Sequence, residues 1–281
     1  MKFINYNLSS QLINLHNNED WIAKQRIAGK CHSEIMSILE KLVMQKTKLS
    51  LLDLDKMVET EILKRGCYPT FKGYMNFPNS LITSVNKQLV HGLPTDYTLQ
   101  EGDLIKFDFG CTYEGVIVDS ATTCIYGKPL KPEHLRMVNT NQQCLYNAIK
   151  AIKIGSKLGV IGNAIYKTAK NAGFNVIDAY GGHGIDISKN GEGIPHAPPF
   201  VSNKSDPNEG ITLCSGLTLA IEPLLVPGNC STKTKTAADK WTITTEDVSV
   251  HHEHTIFIHN DQIEIMTHRD DEKIDRFIKF N

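Results

Sequence analysis

The stretch Leu104–Thr123, LIKFDFGCTYEGVIVDSATT, contains two runs in which apolar and other residues alternate. Alternation with a period of two is typical of β-strands, and the glycine between the runs indicates a hairpin. If the loop consists of the four residues Thr112–Gly115, then Asp108 on the first strand lies directly opposite Asp119 on the second. The segment therefore predicts a hairpin that brings two carboxylates together.

Such a pair of carboxylates has to be stabilised by something. Directly opposed residues have Cβ atoms about 4.5 to 5.5 Å apart, and like charges at that distance destabilise the pairing. A divalent metal ion between the two aspartates would remove the repulsion. A different register, or two aspartates that face water, is an equally good explanation when the hairpin is considered alone.

Two later segments add acidic and histidine side chains. Glu222 ends the apolar run LTLAIEP and is followed by further apolar residues, which favours a functional role for its charge. In HHEHT, strand alternation places His252 and His254 on one face and Glu253 on the other, so they cannot all bind one ion. The pattern leaves open whether the histidine pair, the glutamate or neither is a ligand.

Three more histidines lie in glycine-rich or proline-rich contexts. His183 stands between glycines in GGHGI, His91 precedes glycine in LVHGLP, and His196 precedes alanine and proline in HAPP. Glycine permits close approach of the backbone to another group. Each of these histidines taken alone is more typical of a loop residue than of a catalytic one.

The surrounding sequence predicts a pair of helices followed by hairpins, and then a second pair of helices followed by hairpins. We expect an α+β domain with antiparallel strands, because the helices are grouped and do not alternate with single strands. We expect no strand before the first helix and a long loop over residues 181–210, which are rich in glycine and proline. The predicted helices are Asn18–Met44, Leu51–Lys64, Pro132–Ile154 and Leu158–Asn171.

Composition excludes several classes of protein. Of the 281 residues, 41% are hydrophobic and 22% are charged, which is typical of a globular domain and excludes disorder. The net charge of -1 offers no basic surface for nucleic acid or for an anionic membrane. Seven scattered cysteines without a C-x-x-C pair, and no export signal, predict a soluble cytoplasmic protein with reduced thiols.

Taken together, the motifs resemble those of a known family over Asn18–Arg269, in the same order along the chain. The chain resembles the type I methionine aminopeptidases, which have the pita-bread fold. This implies two pseudo-symmetric halves around a curved antiparallel sheet with helices outside, and we expect residues 18–281 to form one such domain after an extension over residues 1–17. The motifs are VNKQLVHGLP, GDLIKFDFG, GVIVDSATT, GGHGI, HAPP, TLAIEP, KWTITTEDVSVHHEHTI and EIMT.

The resemblance also implies a set of functional residues. Two divalent ions, with manganese, iron, cobalt or zinc all suited to the donors, would balance the charge of the four carboxylates. Glu222 would be the general base, with His91 and His196 beside the substrate. The implied metal ligands are Asp108, Asp119, His183, Glu222 and Glu253. The implied lining of the side-chain pocket is Tyr74, Phe77, Ile82 and Trp241.

The implied activity is removal of the N-terminal methionine from nascent proteins by metal-activated water. We expect a monomer, with N-terminal methionine peptides as substrates, the ribosome as a candidate partner, and no nucleic-acid motif or membrane contact. The alternatives are an Xaa-Pro dipeptidase of prolidase type and a non-catalytic binding protein on the same fold. Residues 186–193 form an apparent insertion, which we expect to rim the pocket.

Overall fold

A computed structural model describes residues 2–5 and 12–280 of the chain. Among these residues it contains four α-helices, many short strands and one 3₁₀ helix, Tyr74–Asn76. The helices are α1 (Glu19–Met44), α2 (Leu51–Lys64), α3 (Pro132–Lys150) and α4 (Gly159–Asn171). The strands are β1 (Lys2–Asn5), β2 (Leu12–Leu15), β3 (Tyr68–Pro69), β4 (Ile82–Val85), β5 (Gln88–Val90), β6 (Leu104–Tyr113), β7 (Val116–Ile125), β8 (Phe174–Val176), β9 (Gly182–Ile187), β10 (Gly193–Val201), β11 (Thr218–Ile221), β12 (Leu224–Pro227), β13 (Lys235–Thr236), β14 (Ile243–Thr244), β15 (Val250–His251), β16 (His254–Ile258), β17 (Gln262–Ile265) and β18 (Phe277–Lys279).

The first two helices begin at side-chain caps. The Asn18 side chain accepts a hydrogen bond from the Trp21 backbone N–H at 2.6 Å, and Ser50 and Asp53 form a reciprocal capping box at the start of α2. The predicted bounds of these helices are confirmed, whereas α3 ends at Lys150, four residues before the predicted Ile154. No described helix is both long and apolar enough to span a bilayer.

The strands and helices form two α+β layers, as predicted. Helices α1 and α2 pack against β6, β7 and β3, while α3 and α4 pack against β8, β12 and β15. All described strand pairs are antiparallel, and the largest sheet has the order β10-β9-β11-β16-β17-β18. This doubled arrangement, with helices outside the sheets, is the pita-bread architecture that the resemblance implies.

Two expectations about strands were wrong. β1 and β2 precede α1, and the predicted loop over residues 181–210 contains the hairpin of β9 and β10. Glycine and proline mask this hairpin in the sequence, but here glycine serves close packing: a Cβ at Gly184 would lie 2.1 Å from the Pro198 carbonyl oxygen. The composition that suggested a loop therefore reflects tightly packed strands.

The turn between β6 and β7 is shorter than predicted. Tyr113 pairs with Val116, so only Glu114 and Gly115 form the loop, in place of the four residues 112–115. Both turn residues have positive φ, 45° and 81°, which is the backbone of a type I′ hairpin turn. This turn suits the right-handed twist of paired strands, and it changes the register by two residues.

As a result, Asp108 and Asp119 are not directly opposite each other, and that prediction was wrong. Asp108 pairs with Ala121, and Asp119 pairs with Gly110. A shift of two keeps both side chains on the same face of the sheet, as diagonal neighbours. The Thr70 side chain fills the space beside Gly110, where an added Cβ would lie 2.7 Å from it.

Hydrogen bonds between β7 and the segment around Glu253 join the two layers. The Glu253 N–H donates to the Ala121 carbonyl at 2.9 Å. The Thr255 hydroxyl donates to the Asp119 carbonyl at 2.7 Å and accepts from the Asp119 N–H at 2.8 Å. These bonds place the carboxylates of Asp119 and Glu253, 134 residues apart in sequence, side by side.

Candidate metal centre

Five side chains converge where the two layers meet. His183 follows the start of β9 and pairs with Ala220 of β11, so it lies beside Glu222, which comes directly after that strand. The His183 Nε2 atom is 3.9 Å from Asp119 Oδ2, 3.9 Å from Glu222 Oε1 and 3.8 Å from Glu253 Oε1. The structure thus brings all the implied ligands together.

The donor atoms form three overlapping groups that suit divalent cations. The groups are Asp108, Asp119 and Glu253; His183, Glu222 and Glu253; and Asp119, His183 and His196; within each, the donor atoms lie within 4.8 Å of one another. The buried atoms Asp108 Oδ1, Asp119 Oδ1 and Glu253 Oε1 have no hydrogen-bond partner in the described chain. Because buried carboxylate oxygens need a partner, these observations fit a bound metal ion.

The tautomer of His183 also suits a ligand. Its Nδ1 lies 3.1 Å from the Gly184 carbonyl oxygen and donates to it, since a carbonyl can only accept. In the neutral ring Nε2 then carries a lone pair, and that atom faces the three carboxylates. A backbone carbonyl that holds the far nitrogen in this way is the usual support for a metal-binding imidazole.

The protein alone cannot readily keep these carboxylates charged. Burial, together with the neighbouring acidic groups, raises the pKa of Asp108 and of Glu253 well above the ordinary range. Burial and the charge of Glu222 raise the pKa of Asp119 to about 8. A cation would favour the ionised forms, so the electrostatics of the site also indicate metal binding.

Glu222 differs from the other three carboxylates. Burial acts to raise its pKa, but the imidazole of His251, whose Nε2 lies 3.3 Å from Glu222 Oε2, and those of His183 and His196 shift it downward overall. The Glu222 carboxylate is therefore ionised at neutral pH and is able to accept a proton. This property suits a general base better than it suits an acid.

His91 and His196 flank this cluster. His91 has a φ of 58°, and its ring meets the Tyr180 ring edge to face at 6.5 Å. The His196 ring lies 4.6 Å from that of His183 and is open to solvent on one side. Burial lowers the pKa of His91. Partial removal from water and the neighbouring His183 imidazole lower the pKa of His196 to about 4. Both are neutral at pH 7.

A cavity of about 360 Å³ leads to the cluster. Its lining includes all five implied ligands and both flanking histidines, as well as the four predicted pocket residues Tyr74, Phe77, Ile82 and Trp241. The rings of Phe77 and Trp241 meet edge to face at 5.2 Å. The cavity therefore has an apolar end beside a strongly acidic one, which is typical of a site for a small apolar group next to reacting atoms.

The histidine pair in HHEHT lies elsewhere. His252 Nδ1 is 2.7 Å from Asn141 Oδ1, and His254 Nε2 is 3.0 Å from Glu272 Oε1. Neither belongs to a metal-donor group among the described residues. Of the alternatives that the pattern left open, the structure places Glu253 at the centre and the histidine pair outside it.

The expectation that the insertion rims the pocket was wrong. Within the part of the chain that the structure describes, none of residues 186–193 lines the cavity. Asp186 accepts hydrogen bonds from Asn14 at 2.6 Å and contacts His16 Nε2 at 2.8 Å. These contacts hold the tip of the β9–β10 hairpin against β2, away from the cluster.

Several residues of the site were missed in the sequence, among them Phe71 and His251. Phe71 lines the cavity and packs with Phe77 and Ile82, but no local pattern sets it apart. His251 contacts Glu222 and Glu253, and here a signal existed, because strand alternation places residues 251 and 253 on one face.

Comparison with known families agrees with this site. Residues 23–260 match Metallopeptidase family M24. Because the match covers most of the chain, the chain belongs to this family. It is therefore a metal-dependent hydrolase.

The relatives and solved structures to which the chain is similar include several methionine aminopeptidases. The chain is similar to the methionine aminopeptidase of Mycoplasma capricolum, with 36% identity over 252 residues that cover 89% of this chain and 96% of that protein. The Aquifex aeolicus methionine aminopeptidase is 38% identical over 84% of this chain and 92% of its own length. The crystal structure of the Thermotoga maritima enzyme superimposes with a TM-score of 0.83 and 32% identity over 90% of this chain and 99% of that one.

More distant structures share only the fold. A prolidase from Pyrococcus furiosus superimposes with a TM-score of 0.67 and 18% identity over 91% of this chain, but this chain spans only 66% of the prolidase.

Proposed function

We propose that this chain removes the N-terminal methionine from proteins and peptides. The observation that carries the proposal is the five-residue cluster of carboxylates and imidazole at the end of a cavity lined with aromatic side chains. The relatives named methionine aminopeptidase support the same substrate. Apolar rings around a cavity of this size suit the unbranched thioether of methionine.

We infer that the site holds two divalent ions. Four carboxylates carry about -4 charges, which two divalent cations balance, whereas one would leave an excess of buried negative charge. Manganese, iron, cobalt and zinc all accept a set of oxygen donors with one imidazole. The residues that would hold the ions are Asp108, Asp119, His183, Glu222 and Glu253.

The chain's own groups have separate roles in the proposed hydrolysis. Divalent ions in such a centre lower the pKa of bound water and polarise a carbonyl group. Glu222, which is ionised at neutral pH, accepts the proton of the attacking water. His91 and His196, at the mouth of the cluster, hydrogen-bond the scissile amide and the oxyanion that forms from its carbonyl.

We further propose that the chain acts in the cytoplasm, as a monomer, on nascent chains close to the ribosome. Four of the cysteines, Cys31, Cys67, Cys111 and Cys144, are buried and form no disulfide, which suits a reducing compartment. Residues 18–281 would form the catalytic domain, and residues 1–17 an extension, part of which lies outside the described residues.

Peptide cleavage tests the proposed substrate directly. We expect cobalt- or manganese-loaded protein to release methionine from Met-Ala-Ser and to leave Ala-Pro peptides intact, since the cavity offers an apolar pocket for the first side chain. Release of free amino acids is followed by chromatography. Faster cleavage of Ala-Pro would support a prolidase, and no cleavage by metal-loaded protein would support a binding protein.

Glu222→Gln tests the proposed general base. The substitution removes the proton acceptor with little change in shape, so we expect turnover to fall by about 10²-fold or more. Glu209→Gln, at an exposed glutamate in the loop after β10, is the matched control and keeps full turnover. A loss below about tenfold in folded, metal-loaded Glu222→Gln protein would refute the assignment.

A further inference from the structure

His251 is a buried histidine at the metal centre that is neither one of the implied ligands nor one of the two flanking histidines. It lies on β15 and is 2% exposed. Its Nε2 atom is 3.3 Å from Glu222 Oε2 and 3.7 Å from Glu253 Oε2. The imidazole therefore faces the Oε2 atoms of Glu222 and Glu253, two of the proposed ligands.

The backbone holds this ring in place. The His251 N–H donates to the Thr123 hydroxyl at 2.8 Å, and that hydroxyl donates back to the His251 carbonyl at 2.7 Å. His251 also pairs with Leu224 of β12. Anchoring on both sides of the strand fixes the direction in which the side chain points.

The two imidazoles at the site differ in their tautomers. The His183 Nδ1–H donates a hydrogen bond to the Gly184 carbonyl. The lone pair of His183 is therefore on Nε2, which faces the carboxylates. Both ring nitrogens of His251 are buried, and neither forms a hydrogen bond of ordinary geometry with a described residue, but Nε2 lies 3.3 Å from Glu222 Oε2. Because ionised carboxylates only accept hydrogen bonds, His251 carries its proton on the Nε2 that faces them.

The two rings also contact different edges of the carboxylates. His183 lies near the Oε1 atoms of Glu222 and Glu253, whereas His251 lies near their Oε2 atoms. His183 belongs to two metal-donor groups, and His251 belongs to none found in the described chain. A nitrogen that carries a proton cannot also donate a lone pair to a metal ion.

We propose that His251 is a positioning residue of the metal centre. Its Nε2–H donates to Glu222 Oε2 and attracts Glu253 Oε2, and this turns the Oε1 atoms of both carboxylates toward the ions. This inference rests on the proposed metallopeptidase function, and it adds a residue that determines metal affinity without binding metal itself.

The test compares Co²⁺ affinity and the visible Co²⁺ spectrum of wild type, His251→Leu and His251→Gln. Leucine removes the donor, so we expect Co²⁺ affinity, measured by calorimetry, to fall by about 10- to 100-fold. Glutamine carries an N–H₂ donor of similar reach and should recover most of that loss. The Co²⁺ absorption bands should be unchanged in both variants, since the ligands are the same.

His252→Leu is the matched control. His252 is the next residue, is equally buried and faces Asn141 instead of the carboxylates, so this variant loses a histidine without losing Co²⁺ affinity. Thermal unfolding verifies the fold of each variant. If His251→Leu does not fold, His251→Asn, whose amide is too short to reach Glu222, takes its place with the same expected loss.

Three results would overturn the inference. They are unchanged Co²⁺ affinity in the leucine and asparagine variants, a glutamine variant as weak as the leucine one, and a shift of the Co²⁺ bands that identifies His251 as a direct ligand. A wild-type chain that binds no Co²⁺ would overturn both this inference and the proposed function. Failure to release methionine would count against the proposed function alone, because affinity and spectrum still report on His251.

Discussion

At the residue scale, acidic side chains line one end of the cavity and aromatic side chains line the other. The carboxylates of Asp108, Asp119 and Glu253 are buried, and their pKa values are raised by burial and by neighbouring acidic groups, among which Glu222 acts on all three. On the other side Phe77 and Trp241 offer aromatic rings to the same space. The two kinds of surface separate binding of a side chain from reaction at the adjoining amide.

The Trp241 side chain is expected to contribute to recognition of the first residue of the substrate. Replacing Trp241 with alanine removes apolar surface worth roughly 1.5 kcal/mol or more to a bound methionine side chain, so kcat/KM for Met-Ala-Ser should fall about tenfold or more. Metal content should not change, because the ring is no ligand. Steady-state kinetics and metal analysis measure the two quantities.

Tyr68→Ala provides the control, since Tyr68 is a largely exposed aromatic residue outside the cavity. Equal kcat/KM values for wild type and Trp241→Ala would show that the cavity does not hold the substrate side chain.

At the element scale, the β6–β7 hairpin shows what alternation predicts and what it does not. Alternation correctly places Asp108 and Asp119 on one face, because that depends only on positions within each strand. Their register depends on the turn, where the positive φ values of Glu114 and Gly115 allow a two-residue loop. The predicted four-residue loop leaves both aspartates on the correct face of the sheet, but it shifts the pairing of the two strands by two residues.

The same turn supports a prediction about stability. Gly115→Ala should lower the free energy of unfolding by about 1 kcal/mol for the positive φ and by roughly 1–3 kcal/mol more for overpacking. The second part arises because a Cβ there would lie 2.4 Å from the Gly191 carbonyl oxygen. Urea unfolding followed by circular dichroism measures the loss.

Gly155→Ala separates the two contributions. Gly155 has a φ of 86°, but no described atom lies within 4 Å of an added Cβ, so only the backbone cost of about 1 kcal/mol applies. If both variants lose the same stability, the contact between the β6–β7 turn and the β9–β10 hairpin contributes nothing.

At the scale of the whole molecule, buried polar contacts hold the two layers at the distance the site requires. The Lys106 amino group is fully buried and donates to the Asn86 carbonyl at 2.8 Å and to the Ser249 carbonyl at 3.0 Å. It thus links the segment before His91 to the segment before Glu253. The acidic cluster lies between these layers, so contacts throughout the fold must offset the unfavourable free energy of burying these acidic groups together.

That cost predicts how the stability of metal-free protein depends on pH. The folded state raises the pKa of Asp119 from 3.8 to about 8, so between these values it binds more protons than the unfolded state. The free energy of unfolding therefore falls as pH rises from about 4 to about 8. In Asp119→Asn protein this contribution is absent. Urea unfolding in chelator at pH 5, 6, 7 and 8 compares the two.

The stability of wild type relative to Asp119→Asn should decrease steadily across that range. Exposed acidic groups cancel in the comparison because both proteins share them. A relative stability that is constant or that rises with pH would contradict the raised pKa and the electrostatic argument for a metal ion.

The sequence by itself determined the helices, the faces of the strands and the family. Caps and apolar periodicity define α1 and α2, since those signals act within a few residues, and the order of the motifs indicated the methionine aminopeptidase resemblance that the comparisons confirm. The glycine-rich hairpin and the strands before α1 were not recognised. In the hairpin, close packing, and not local propensity, keeps the chain extended.

Only the tertiary structure decided which side chains meet. Asp119 and Glu253 lie side by side because β7 pairs with a segment 134 residues away, and no pattern within either segment specifies that pairing. The same pairing aims His251 at Glu222 while it leaves His252 and His254 with other partners. Local sequence sets the face of a strand on which a side chain lies, but long-range hydrogen bonding sets what that side chain faces.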